Sequence, residues 1–113
     1  MKLQSTINGD ITVISLIGEL NVDAAGKLTE AVHIAFREQR RDFVLDLQQL
    51  SGIDSAGLEA ITALQRECDE QLGMVHICGM NETLQKVFEI TRLDRQLSLY
   101  PNIEEAVNSF ISG

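Results

Sequence analysis

The chain has no tryptophan, one tyrosine, one proline and two cysteines. With only four phenylalanines to add bulk, its interior must be built mainly from aliphatic side chains. Two thiols are too few for a disulfide framework. Cys68 falls on the apolar positions of a helical pattern and Cys78 ends an apolar run, so both read as buried small residues in a reducing compartment. Basic side chains are also scarce: 9 Lys and Arg stand against 17 Asp and Glu, for a net charge of −8. That deficit disfavours a nucleic-acid partner, whose phosphates demand clustered cations, and suits a partner with a basic face. Arg37, Arg40 and Arg41 form the one basic cluster, placed to complement the end of a helix. No apolar run approaches the roughly 20 residues of a membrane span. Met1-Lys2-Leu3-Gln4-Ser5 is not followed by the apolar segment of a signal peptide. The expectation is a cytoplasmic protein with no nucleic-acid and no membrane partner.

Several catalytic and cofactor patterns are missing too. His33 and His76 are the two histidines, and with Cys68 and Cys78 they show no metal-ligand spacing. There is no glycine-rich run ending in Lys-Ser/Thr and no Gly-x-Gly-x-x-Gly, the patterns that cradle nucleotide phosphates. Nor is there a Gly-x-Ser-x-Gly elbow to expose a nucleophilic serine. No metal, cofactor or catalytic residue is expected. A phospho-accepting aspartate, Asp46 or Asp54, would need an acidic pair after the first long strand, and Gly18-Glu19-Leu20-Asn21 does not supply one cleanly.

What is present is a globular pattern, 44% apolar and 23% charged over 113 residues. That length suits one domain, 1–113, with an ordinary core. Lys2–Ile7 and Asp10–Leu20 read as strands around Asn8-Gly9, a strong hairpin signal because both residues tolerate positive φ. The second strand carries apolar residues on both parities, so cover on both faces is expected. Asn21 to Asp23 offer caps for a helix whose stripe is Ala24, Leu28, Ala31, Val32 and Ala35. Phe43–Leu47 reads as a buried strand and Gln48–Gly52 as a turn. Leu58, Ile61, Leu64, Cys68 and Leu72 then recur with helical period to about Gln71, with Gly73 as the stop. Met74–Cys78 is a further strand. Asn81 heads a short helix bearing Leu84, Val87 and Phe88, Leu97–Tyr100 is a short strand, and Asn102 to Glu105 have capping-box spacing before a last helix. A strand hairpin followed by alternating helices and strands predicts an α/β fold. Its mixed sheet should have about five strands, with about four helices mostly on one face.

One stretch carries the functional signal: Leu50-Ser51-Gly52-Ile53-Asp54-Ser55-Ala56-Gly57-Leu58-Glu59-Ala60-Ile61. Asp54 and Ser55 sit where a helix begins, among unpaired N–H groups and partial positive charge. Either could simply cap that helix. Alternatively, Ser55 is a modifiable hydroxyl, since a helix start tolerates a phosphate while the added charge remakes the surface. Asp54 would then cap the helix or orient that hydroxyl. Gly57 would let a partner backbone approach closely or pack a first turn on the sheet. Leu58 and Glu59 would border a docking surface, and Met80 and Leu93 read equally as exposed contacts or as core.

Ile53-Asp54-Ser55-Ala56-Gly57-Leu58 after Val44-Leu45-Asp46-Leu47 resembles the signature of STAS domains, specifically the bacterial anti-sigma-factor antagonists. Gly18-Glu19-Leu20, Leu93-Asp94-Arg95, Leu99-Tyr100 and Glu104-Glu105-Ala106 extend the resemblance over nearly the whole chain. It implies an α/β domain with the 54–57 loop exposed at one end. It also implies that Ser55 is phosphorylated by a partner, an anti-sigma factor and serine kinase with a histidine-kinase-like ATPase fold, and reset by a protein serine phosphatase. The implied binding set is Asn21, Asp23, Asp54, Ser55, Ala56, Gly57, Leu58 and Glu59. Two positions depart from the pattern: Ala56 replaces a common second serine, and Asn21 stands where an aspartate is frequent, with Asp23 two residues on. STAS domains also serve as subunits of transporter ATPases and signalling assemblies, and there Ser55 would be only a cap.

Overall fold

A computed structural model describes residues 1–111; residues 112–113 of the predicted domain lie outside the described residues. Strands β1 (Lys2–Asn8) and β2 (Ile11–Leu20) form the antiparallel hairpin. Its register pairs Asn8 with Ile11, so the two-residue turn is Gly9-Asp10, one position later than the Asn8-Gly9 pair expected from sequence. Gly9 alone takes positive φ, +61°, the pattern of a hairpin turn whose first central residue is glycine. Helix α1 (Val22–Arg37) crosses to β3 (Asp42–Asp46), which lies parallel to β2.

The turn expected over Gln48–Gly52 is shorter than that. Only Gln48 and Gln49 turn; Leu50–Ile53 form a short strand, β4. It runs parallel to the far half of β2, pairing Gly18 with Leu50 and Leu20 with Ile53. Between them β2 shifts register at Gly18/Glu19, with Gly18 at φ +100° and its N–H donating to the Gln49 carbonyl at 3.1 Å. A bulge of this kind re-aims a strand and here lets β2 serve β3 first and β4 after it. The sheet therefore has six strands, in the order β1-β2-β3-β5-β6 with β4 on β2. Helix α2 (Ser55–Glu70), β5 (Met74–Cys78), α3 (Glu82–Ile90), a single 3₁₀ turn (Leu93–Arg95), β6 (Ser98–Tyr100) and α4 (Ile103–Ile111) complete the described chain.

Strand alternation builds two cores. Leu16 and Leu20 of β2, Phe43 and Leu45 of β3 and Val75 and Ile77 of β5 face one side. There they meet Leu28 and Val32 of α1, Ile61, Leu64 and Cys68 of α2, and Leu84 and Phe88 of α3. On the other side Ile11, Val13, Val44 and Cys78 meet Ala106 and Val107 of α4. Three helices cover one face and one covers the other, as the helix stripes and the two-parity β2 led one to expect.

Local chemistry departs from the sequence reading at three further points. Gly73 is not the left-handed residue ending α2; Leu72 is, at φ +61°. Gly73 is glycine because a Cβ there would strike the Arg41 carbonyl. Arg40 does not face its own helix end: its guanidinium donates to Thr12 Oγ1 at 2.7 Å and to the Gly9 carbonyl at 2.9 Å, tying the chain after α1 to the hairpin. Leu93 is core, 7% exposed, while Met80 is half-buried beside a shallow cleft with Leu99 and Tyr100. Both thiols are buried, and burial pushes each up to about 12, far from a reactive thiolate.

Candidate functional site

Because Leu20 and Ile53 are register partners, β2 and β4 end side by side. The residues that follow them, Asn21 and Asp54, are the N-caps of α1 and α2. Two helices thus start next to each other at one end of the sheet. A strand-to-helix reading of residues 50–61 alone misses this pairing, because it appears only once Leu50–Ile53 is recognised as a strand. The one sequence signal for it is the apolar pair Leu50 and Ile53 bracketing small residues.

Asn21 Oδ1 accepts from the Ala24 N–H at 3.0 Å. Asp54 does more. Its Oδ1 accepts from the Gly57 N–H at 2.9 Å, the ordinary cap of α2. Its Oδ2 accepts from the Val22 N–H at 3.0 Å, the first residue of α1. Its own N–H donates to the Leu20 carbonyl at 3.2 Å. One carboxylate therefore spans both helix starts, where partial positive charge holds an anion. Of the two readings of Asp54, capping is the one seen; its oxygens are spent on backbone N–H groups.

Ser55 is then the first residue of α2, exposed, with its cap already supplied by the residue before it. Asp23 and Glu59 are exposed around it, Ala56 and Leu58 are half-buried, and Leu58 packs against the main core. Val22, 69% exposed, also belongs to this surface, and nothing in the sequence between Asn21 and Asp23 marks it. Gly57 is buried. A Cβ there would strike the Leu20 carbonyl and lie 2.8 Å from Ile53 Cγ1. The close approach that Gly57 permits is thus internal, helix onto strand end, and not to a partner backbone. A shallow cleft of about 330 Å³ beside the site is lined by Glu19, Leu20, Asn21, Gly52, Ile53 and Asp54.

The site holds carboxylates, amides and the Ser55 hydroxyl, and among the described residues no basic side chain is hydrogen-bonded to Ser55. Among the described residues no three His, Cys, Asp or Glu side chains gather as metal ligands. No helix there is long and apolar enough to cross a membrane. Asp46, the other aspartate weighed as a phospho-acceptor, is 7% exposed and engaged by Ser15 Oγ (3.1 Å) and the Gln48 N–H (3.1 Å).

Known proteins share this architecture. The anti-sigma-B factor antagonist of Staphylococcus aureus is 24% identical over 93 residues, covering 82% of this chain and 86% of that one. Among solved structures, the Bacillus cell fate determinant SpoIIAA in its phosphorylated form superposes with a TM-score of 0.77 at 22% identity, covering 96% of this chain and 99% of that one. A sulfate transporter family protein from Wolinella succinogenes superposes with a TM-score of 0.81 at 16% identity, covering 92% and 87%. At such identities the superpositions establish the fold, and the same fold hosts different roles. The family model for the STAS domain matches residues 2–106, which takes in both helix starts and all six strands. The chain belongs to the STAS domain family.

Proposed function

We propose that the protein is an anti-sigma-factor antagonist whose docking is switched by phosphorylation of Ser55, with the whole chain acting as one STAS domain. The observation that carries the reading is the division of labour at the start of α2. Asp54 is the cap, so the helix does not need the Ser55 hydroxyl, which stands exposed at the end of the sheet. The likeness to the Staphylococcus aureus antagonist and to SpoIIAA, itself described as an anti-sigma factor antagonist and solved in a phosphorylated form, supports the same reading.

In the unmodified state the surface around Asn21, Val22, Asp23, Asp54, Ser55 and Glu59 docks on an anti-sigma factor, which releases its sigma factor. That partner is a serine kinase with a histidine-kinase-like ATPase fold. The terminal phosphoryl group passes from ATP to Ser55 Oγ, ADP leaves, and the hydroxyl proton goes to a base supplied by the kinase. The protein contributes no catalytic group. The phosphate adds about −1.5 to −2 of charge to a site already bearing Asp54, Asp23 and Glu59. The helix survives, because its N-terminus favours an anion. The complex does not, because the new charge must be desolvated against the partner. A protein serine phosphatase restores the docking form.

The test is capture from a native lysate of the producing cells with Ser55→Ala and Ser55→Asp baits, read by mass spectrometry. A small ATPase-fold kinase held by the first bait and lost by the second is the expected result. A transporter or scaffold held equally by both would replace the switch with a structural-subunit role and leave Ser55 as an ordinary first-turn residue.

A further inference from the structure

The Val22 N–H opens α1, and the first four N–H groups of a helix have no partner within it. Here that N–H is held by Asp54 Oδ2 across 32 positions of sequence. The same carboxylate holds the Gly57 N–H of α2 through Oδ1. Ser55 is the covalent neighbour of Asp54 and the first residue of α2. Ser55 therefore directly follows, in the chain, the one carboxylate that two helix starts share.

We propose that Asp54 is a positioning residue that relays charge on Ser55 to the first turn of α1. The relay rests on the reading of Ser55 as a phosphorylation site. A phosphate on Ser55 Oγ and the Asp54 carboxylate are two anions at one helix end, and they compete for the same N–H groups and positive field. The phosphate carries more charge and more acceptor oxygens, and it repels the carboxylate. Asp54 gives way, and the Val22 N–H loses the acceptor that holds it. The first turn of α1, which presents exposed Val22 and Asp23, then loosens. Phosphorylation thus acts on the docking surface twice: by charge at α2, and by undoing the α1 half of the same surface. Asn21 still caps α1 through Ala24, so the change stays within the first turn and does not unravel the helix.

Asparagine separates the two halves of the clip. It has one acceptor oxygen and an NH₂ that can only donate, so Asp54→Asn keeps the Gly57 bond and loses the Val22 bond. The experiment follows the amide resonances and hydrogen exchange of Val22, Ala24 and Gly57 in three proteins. These are the unmodified chain, Asp54→Asn, and a chain with phosphoserine installed at position 55 by genetic encoding. No kinase is needed. Loss of a hydrogen bond to a charged acceptor speeds exchange by about ten-fold or more. The relay predicts that Val22 exchanges faster by that factor in both altered proteins, with its amide proton shifted upfield, while Ala24 is unchanged. Gly57 stays protected in Asp54→Asn. A Val22 amide that moves in Asp54→Asn but not with phosphoserine would overturn the relay and leave Asp54 a static clip. A Val22 amide that moves in neither would overturn it as well. If Val22 moves with phosphoserine while kinase binding is unaffected, the relay stands and the switch reading of Ser55 falls.

Discussion

At the scale of single residues, the site depends on small side chains and shared oxygens more than on reactive groups. Gly57 seats α2 on the end of β2, where a Cβ would strike the Leu20 carbonyl. Gly57→Ala should cost about 1–3 kcal/mol, as over-packing does, and a lowered urea midpoint with unchanged slope would register it. Leu20 sits in the main core, so relief by local movement is restricted. Asp54→Ala removes the cap of α2 and the contact to α1 together. It should lose more stability than the ~1 kcal/mol of an ordinary N-cap, with Asp54→Asn falling between it and the native chain in the same urea titration. Gly57 and Asp54 were both singled out by the sequence. Their partners were not, because spacing along the chain cannot report that Leu20 and Val22 lie across from them.

Among the elements, α1 and β4 differ in how far local sequence reveals them. The stripe of α1 was legible because Leu28 and Val32 repeat with the helical period, and both are buried. By contrast Leu50–Gly52, which local composition places in a turn, belong to β4. Its four residues, Leu50–Ile53, include Ser51 and Gly52, which are poor strand formers. What makes it a strand is pairing to β2 past the Gly18 bulge, a tertiary cause absent from local composition. Helix α4 is held to the second face partly through His76, which is 4% exposed. The His76 ring stacks on Phe110 at 4.2 Å, lies beside Tyr100 at 5.1 Å, and meets Ser109 Oγ through Nδ1 at 2.6 Å. That hydroxyl donates to the Ala106 carbonyl at 2.5 Å, so Nδ1 is the protonated nitrogen and the serine oxygen accepts. Burial lowers the imidazole from its ordinary 6.5, against smaller upward pulls from the Ala106 backbone and Asp42. The unfolded chain then takes up the proton before the folded one does. The contribution of His76 is full above pH 6.5 and is lost as the pH falls from there through the lowered folded value. Hydrogen exchange of α4 amides, corrected for intrinsic rates, should accelerate over that window in the native protein and stay flat in His76→Gln.

For the molecule as a whole, the class of fold followed from element order alone, since a hairpin and then alternating helices and strands leave few arrangements. The adjacency of the two helix starts did not follow, because it needed the sheet's register. Net charge bears on association. With −8 overall and exposed Asp23, Asp54 and Glu59 at the proposed docking end, attraction to a basic partner face should dominate the encounter rate. Raising ionic strength from about 0.05 to 0.5 M shortens the reach of those charges. It should slow association several-fold with little change in dissociation, as stopped-flow mixing with the captured partner would show.

Docking, on this reading, is switched at Ser55. The switch is tested most directly by the dissociation constant of the captured ATPase-fold partner for the unmodified chain and for the chain carrying phosphoserine at position 55, by calorimetry in one buffer. A switch at Ser55 predicts tight binding of the first and binding weaker by about a hundred-fold or more for the second, a difference of ~2.7 kcal/mol. Equal dissociation constants for the two would contradict it.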